Sequence, residues 1–237
     1  MKNDYFKILF EEHKENNLPD LNYSTIIDEM IDSGQFSGIN NAYRYYQSKN
    51  FELALQEIEK AIITNARNPF LFQFRANIKE EQSDFQSAII DYKNALRIGQ
   101  DWYSIYNQIA ICFTYLKNFS QALKAYDIAI QLKNNLINEN IDESNMSYLN
   151  NGVVMRVDFE RIYANRANVK LSLGDYEGCL DDIKISVHYN ENYSTPYFIA
   201  GLLFEKVNQK KECFEALNRA KELGHPQAER AIKHFFG

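Results

Sequence analysis

The chain has 237 residues, of which 45% are hydrophobic and 24% are charged, the composition of a folded globular protein. Nine Gly and four Pro are too few for a turn-rich β-sandwich, a collagen-like chain or a disordered linker. A net charge of −6 disfavours nucleic-acid binding, because contacts with a phosphate backbone normally need a basic surface.

The first fifteen residues carry charged side chains among their apolar ones. Asp4, Lys7 and Glu11 interrupt the continuous apolar run that a secretory signal needs. No stretch of the sequence approaches the roughly 18 apolar residues of a membrane-spanning helix. The three Cys are too widely spaced for a disulfide framework and fit a reducing compartment. We therefore expect a cytoplasmic protein with no membrane partner.

Residues 1–34 predict a helical pair. Apolar residues at helical spacing indicate amphipathic helices within 2–16 and 24–33, and Pro19 lies between them. The pair is interpreted either as a degenerate repeat or as a cap over the first regular unit, which a stack of repeats needs. The sequence leaves open whether the two helices complete the stack or occupy its groove.

From residue 35 onward the chain repeats itself. Ala54, Ala88 and Ala122 each follow an aromatic residue by three positions, and they stand 34 residues apart. Cys179 and Cys213, in two looser copies, are also 34 residues apart. The 57-residue gap between Ala122 and Cys179 exceeds one period by 23 residues. Five repeats and one insertion are therefore predicted.

Each copy is predicted to be a helical hairpin. Apolar residues recur at three- and four-residue steps in two stretches, with a short polar turn between them. Pro69 stands at an expected first helical position, and Gly99 and Gly224 stand where left-handed C-terminal caps are expected. The predicted organisation is repeats 1–3 over 35–136, a polar insertion over 137–159, repeats 4 and 5 over 160–227, and a C-terminal capping helix over 228–237.

These patterns resemble the tetratricopeptide repeat (TPR). The shared features are the 34-residue period, a small residue such as Ala76 in the first helix, and an aromatic-x-x-Ala step, as at Phe85 and Ala88, that opens the second. The resemblance implies an all-α fold, a right-handed superhelical solenoid of helix-turn-helix repeats. It also implies that the first helix of each pair lines the concave wall.

The sequence offers little that could carry catalysis. No pair of His or Cys has a metal-ligand spacing, so we expect no metal site, no cofactor, no catalytic residue and no enzymatic activity. Cys179 and Cys213 take the place of Ala and are interpreted as small packed residues. The acidic pairs Glu80-Glu81 and Asp181-Asp182 are interpreted as solvated helix faces.

The TPR resemblance implies a peptide-binding surface on the concave wall. Asn and Gln side chains each offer a donor and an acceptor to an extended peptide, and interleaved apolar side chains offer pockets. The candidate peptide-binding residues on that wall are Gln73, Phe74, Asn77, Asn107, Gln108, Ile111, Tyr115, Arg161, Asn165 and Asn168.

A carboxylate clamp of the kind that some TPR co-chaperones share is poorly matched here. When the clamp is placed over copies two to four, only Asn77 is identical and Arg161 is the one basic substitute. The groove therefore lacks the positive charge that would compensate a carboxylate for its lost hydration.

The leading hypothesis is a non-catalytic interaction module, an adaptor that binds a peptide segment of a partner protein in the concave groove. Two alternatives stay open. The first is self-association, as a homodimer or a longer stack, through Phe235-Phe236 or the Tyr-rich stretch from Tyr43 to Tyr46. The second is a regulator that senses a peptide or another ligand.

Overall fold

The computed structural model describes residues 37–99, 102–138 and 158–237, and these fall in two compact units. The two helices predicted near the start of the chain and most of the predicted insertion lie outside the described residues. Every regular element within the described ranges is an α-helix. The all-α class and the helical hairpins predicted from the sequence are confirmed.

The first unit contains three hairpins. Its six helices in the described part of the chain are α1 (Ser37–Gln47), α2 (Phe51–Thr64), α3 (Pro69–Glu81), α4 (Phe85–Ile98), α5 (Tyr103–Tyr115) and α6 (Phe119–Asn138). The second unit contains two hairpins and a further helix. Its described helices are α7 (Phe159–Leu173), α8 (Tyr176–Tyr189), α9 (Ser194–Lys206), α10 (Lys210–Glu222) and α11 (Ala228–Phe236).

The turns inside the first unit's hairpins repeat as regularly as the helices. After α3, Ser83 adopts a positive φ of 62°. The next residue, Asp84, is the N-cap of α4, and its carboxylate accepts the backbone N–H of Ser87 at 3.2 Å, which satisfies a donor that the helix itself leaves unpaired. The other two hairpins of this unit use the pairs Lys49-Asn50 and Lys117-Asn118 in the same way.

The predicted helix ends are partly right. Pro69 is at the start of α3, and Gly224 has a φ of 81° after α10, so both predictions are confirmed. The left-handed cap predicted at Gly99 is wrong, because Gly99 has a φ of −98° and extended backbone. A Cβ at Gly99 would lie 3.3 Å from the Pro69 side chain, so the residue matters for the close approach of the chain to α3.

Small side chains mark the contacts between paired helices. In the first unit the alanines at the equivalent first-helix positions, and those opening the second helices, are fully buried: Ala42, Ala76, Ala110, Ala54, Ala88 and Ala122. In the second unit Gly201 has the same role, since a Cβ there would lie 2.6 Å from the Leu217 side chain. Two helices can approach closely only where such side chains are absent or small.

One buried acid corrects the interpretation of Asp181-Asp182 as a solvated pair. Asp181 is exposed, but Asp182 on α8 is 1% exposed. Its carboxylate accepts two hydrogen bonds from the Arg166 guanidinium, at 2.7 and 2.9 Å, and lies 2.9 Å from the Lys170 Nζ. The neighbouring acid in the sequence favours a solvated pair, but both partners of Asp182 lie on α7, the other helix of the hairpin.

Candidate functional site

The ten predicted binding residues lie on the first helices of their hairpins, seven in the first unit and three in the second. Each unit is described separately. On α3, Gln73, Phe74 and Asn77 are all buried. Phe74 belongs to the hydrophobic core of the first two hairpins, where its ring stacks on Phe70 and meets Tyr46 edge-on at a centroid distance of 5.6 Å. Phe74 is therefore a core residue beneath the surface of the first helices.

Polar side chains of α5 form a short hydrogen-bonded chain that ends at α3. The Asn107 Nδ2 donates to the Gln108 Oε1 at 3.2 Å, and the Gln108 Nε2 reaches the Glu80 Oε2 at 3.4 Å. Asn107 is 2% exposed and its Oδ1 has no hydrogen-bond partner. The same is true of the Oε1 of Gln73, which is 1% exposed. These amides therefore offer acceptors that the described structure does not use.

Glu80 is the charged residue that sequence reasoning missed. The solvated face predicted for Glu80-Glu81 is right for Glu81, which is exposed, and wrong for Glu80. The Glu80 carboxylate accepts the Tyr92 hydroxyl at 2.6 Å and the Cys112 thiol at 2.8 Å, in addition to Gln108. We call Glu80, Tyr92, Gln108 and Cys112 the Glu80 cluster.

Burial changes the acidity of this cluster. It raises the pKa of Glu80 to about 7, and the neighbouring Glu81 charge adds to the rise, while the bonds from Cys112, Tyr92 and Gln108 oppose it. Burial and the nearby Glu80 charge raise the pKa of the Cys112 thiol well above its usual value. Cys112 is therefore a neutral hydrogen-bond donor at neutral pH rather than a thiolate nucleophile.

Ile111 and Tyr115 are the predicted residues of the first unit that are partly exposed. The Tyr115 ring stacks on Phe85, with centroids 4.3 Å apart and planes nearly parallel at 3°. This stacking fixes the orientation of Tyr115. Burial, followed by the Glu80 charge, raises the Tyr115 pKa above its ordinary value, so its hydroxyl stays protonated.

On α7 of the second unit, Arg161, Asn165 and Asn168 occupy successive turns. The Arg161 guanidinium lies over the Tyr193 ring, 5.7 Å from its centroid, a distance at which cation–π attraction operates. Asn165 and Asn168 are buried, at 9% and 8% exposure, and the Asn168 Oδ1 has no hydrogen-bond partner.

Within the described ranges, no group of three or more His, Cys, Asp or Glu is arranged to hold a metal ion. None of the helices that the structure describes is long and apolar enough to cross a membrane. Burial raises the pKa of Cys179 to about 12 and that of Cys213 to about 11, which makes both thiols poor nucleophiles.

Comparison with known proteins identifies the fold. No protein-family model matches the chain, and no curated protein is similar to it. Among solved structures, YrrB, described as a TPR protein with an unusual peptide-binding site, has a TM-score of 0.57, with 17% identity, over 96% of this chain and 97% of that one. The chain has the TPR fold.

Two further TPR-fold neighbours agree. MamA has a TM-score of 0.60 and 14% identity, over 81% of this chain and 92% of that one. PilF of Pseudomonas aeruginosa has a TM-score of 0.62 and 17% identity, over 88% of this chain and 85% of that one. At these identities the comparison establishes the TPR fold alone.

Proposed function

We propose that this chain is a non-catalytic protein-interaction module that binds a peptide segment of a partner protein on its first-helix wall. The observation that carries the proposal is the pair of partly exposed side chains Ile111 and Tyr115 on the first helix α5, which also holds the buried amides of Asn107 and Gln108.

Partly exposed apolar side chains beside these amides support the proposal. Ile111 and Tyr115 lie one turn apart on the same face of α5, so one peptide segment would contact both. Aromatic and aliphatic anchors of this kind contribute much of the affinity at protein interfaces. The likeness to YrrB, which is described as having a peptide-binding site, adds a precedent on the same fold.

The experiment is selection from a displayed library of random 12-residue peptides, followed by fluorescence polarisation with the enriched peptides. Ile111→Ala is expected to weaken binding at least tenfold, whereas Ile128→Ala is expected to leave it unchanged. Ile128 is the matched control because it is an exposed isoleucine on a second helix, α6. Failure to enrich any peptide, or an equal loss in both variants, would contradict the proposal.

Self-association is the alternative that one observation favours. Phe214 and Phe236 are exposed aromatic residues whose rings pack edge-on, with their centroids 5.2 Å apart. The same pair on a second copy would provide a matching apolar surface. Light scattering coupled to size exclusion separates the two cases. A mass near 27.8 kDa supports the monomeric module, and twice that mass, lost in Phe236→Ser, supports the dimer.

We further propose a cytoplasmic location. Cys112, Cys179 and Cys213 are all free and buried, and a chain with three unpaired thiols suits a reducing compartment. An acidic chain of charge −6 also supports a protein partner in preference to a nucleic acid.

A further inference from the structure

Glu80 links the first helices of two neighbouring hairpins. Its carboxylate, on α3, accepts the Cys112 thiol at 2.8 Å and the Gln108 Nε2 at 3.4 Å, and both donors lie on α5. Ile111 and Tyr115, the residues proposed to contact a peptide, lie on the same helix, immediately before Cys112 and one turn after it. The hydrogen-bonded acid is therefore close to the proposed binding surface.

The Glu80 carboxylate has no compensating positive charge. The hydrogen bonds to it come from neutral groups, and among the described residues no Lys, Arg or His is paired with it. Asp91 and Asp182 differ, because each of these buried acids contacts an Arg and a Lys. Loss of water from a carboxylate without a cation favours its neutral form, and the pKa of Glu80 is accordingly about 7.

Glu80 keeps some contact with water, so a further loss of water can change its charge. The residue is partly exposed, and its negative charge acts on Tyr115, whose pKa it helps to raise. A peptide that packs on Ile111 and Tyr115 displaces water beside this charge. Because the described part of the chain offers no cation there, a proton is the group that compensates for the lost hydration.

We propose that Glu80 takes up a proton from the solvent when an apolar peptide segment binds at Ile111 and Tyr115, so that mildly acidic solution strengthens binding. This regulates the site of the proposed function and rests on that function. The direction follows from linkage, because affinity rises as the pH falls if the complex holds more protons than the free protein.

Two carboxylates are the groups near this surface that can account for a change in binding between pH 6 and pH 8. Burial raises the pKa values of Tyr46, Cys112 and Tyr115 above their ordinary values, so these groups stay protonated in this range. Tyr92 enters the cluster as a hydroxyl donor. The titratable groups that face Glu80 are Tyr46 on α1, Glu81 on α3, Tyr92 on α4, and Cys112 and Tyr115 on α5.

The test uses a peptide from the displayed library that contains no Asp, Glu, His or Cys and has acetylated and amidated ends, so that the peptide itself does not titrate between pH 6 and pH 8. Isothermal titration calorimetry measures its Kd at pH 6, 7 and 8. We expect binding to be about fivefold tighter at pH 6 than at pH 8, the change that a rise of about one pKa unit on binding produces. Equal Kd values at pH 6 and pH 8 would overturn the proposal.

The number of protons taken up is measured directly in the parent protein. Titrations at pH 7 in phosphate and in Tris give different apparent enthalpies if binding moves a proton between the buffer and the protein. We expect an uptake of about 0.4 proton per bound peptide for the same pKa rise. No uptake, or a release of protons, would contradict the proposal, and this measurement does not depend on the folding of a variant.

Two variants identify the group that titrates. Glu80→Gln keeps the size of the side chain and cannot take up a proton, so we expect the same Kd at pH 6 and pH 8 and no proton uptake, with helix content checked by circular dichroism. Glu81→Gln, an exposed change at the next residue, is the matched control and is expected to keep the pH dependence. If Glu80→Gln keeps the pH dependence, or if Glu81→Gln abolishes it, the proposal is wrong.

The outcome is separable from that of the proposed function. If selected peptides bind and depend on Ile111 but have the same Kd at every pH, the interaction module stands and the proton coupling falls. If no peptide is enriched, the proposed function falls and the coupling falls with it.

Discussion

Asp91 in the first unit and Asp182 in the second are held in the same way, each between an Arg and a Lys of the preceding helix. The Arg75 guanidinium donates two hydrogen bonds to Asp91, at 2.7 and 2.8 Å, and the Lys79 Nζ lies 2.7 Å from the same carboxylate. Arg166 and Lys170 precede Asp182 by the same 16 and 12 residues. The two hairpins therefore share an internal ion cluster as well as a backbone shape.

Removal of one of these acids tests how much the cluster stabilises its hairpin. Asp91→Ala leaves Arg75 and Lys79, which are about four-fifths buried, without a counter-charge. We expect a loss of about 3 kcal/mol in the free energy of unfolding, since breaking a buried pair strands the remaining charge. Urea denaturation measures it. The control is Asp181→Ala, an exposed acid whose loss is expected to cost less than about 1 kcal/mol; similar losses in both would show that burial of the cluster does not matter.

The close approach of α9 and α10 gives a second prediction. Gly201→Ala places a methyl group 2.6 Å from the Leu217 side chain, which is fully buried and cannot move into solvent. We expect the unfolding free energy to fall by about 1–3 kcal/mol, the usual cost of overpacking a core.

The matched experiment is a double-mutant cycle with Leu217→Ala. Because the smaller residue removes the clash, the two changes together should cost less than their sum by about 1 kcal/mol or more. Simple additivity would mean that the strain is relieved elsewhere in the hairpin.

The turns allow a reciprocal exchange. Ser83 and Gly174 both follow a first helix and both have positive φ, 62° and 79°, a conformation that costs a side-chain-bearing residue about 1–2 kcal/mol more than glycine. Ser83→Gly is expected to stabilise the chain by about 0.5–1 kcal/mol. This is less than the relieved strain, because glycine also raises the conformational entropy of the unfolded state. Gly174→Ser is expected to destabilise it by a similar amount. Thermal and urea unfolding measure the change in stability of each variant. Changes of the same sign in the two variants would contradict the prediction.

The sequence predicted most of the fold because the fold depends on short-range pattern. The small residues at Ala54, Ala88 and Ala122 recur with the period of the hairpin, and the polar turn residues supply helix caps within three residues of themselves. The cap at Gly99 was predicted wrongly, because composition shows where a chain turns and not which backbone angles it takes.

The candidate site was less accessible to sequence reasoning. The sequence favours a solvated position for both Glu80 and Asp182, since each stands beside another acid. Their surroundings are set by side chains from other helices, Tyr92 and Cys112 for Glu80 and Arg166 for Asp182. One available signal was the shared Arg-Ala-Asn-x-Lys sequence that begins at Arg75 and at Arg166, since each of these arginines precedes a buried acid by 16 residues.

Glu80 also makes the stability of the chain depend on pH. Its pKa is about 7 in the folded state, against an ordinary value of 4.5, so between these values the folded state holds more protons than the unfolded state. Stability from this group is therefore complete below about pH 4.5 and is lost as the pH rises through about 7. We expect Glu80→Gln to be more stable than the parent at pH 8 by about 1–2 kcal/mol, a value reduced for solvent screening because the residue is partly exposed, and to match the parent near pH 5.

Urea denaturation of the parent and of Glu80→Gln at pH 5, 6, 7 and 8 measures the difference in their unfolding free energies. Groups that titrate alike in both proteins do not contribute to this difference. Glu52→Gln serves as the control, and its difference from the parent should be the same at every pH. If the gap between Glu80→Gln and the parent is constant across this range, Glu80 is ionised in the folded state throughout. In that case the hydrogen bonds from Tyr92, Gln108 and Cys112 are sufficient to keep the buried carboxylate charged.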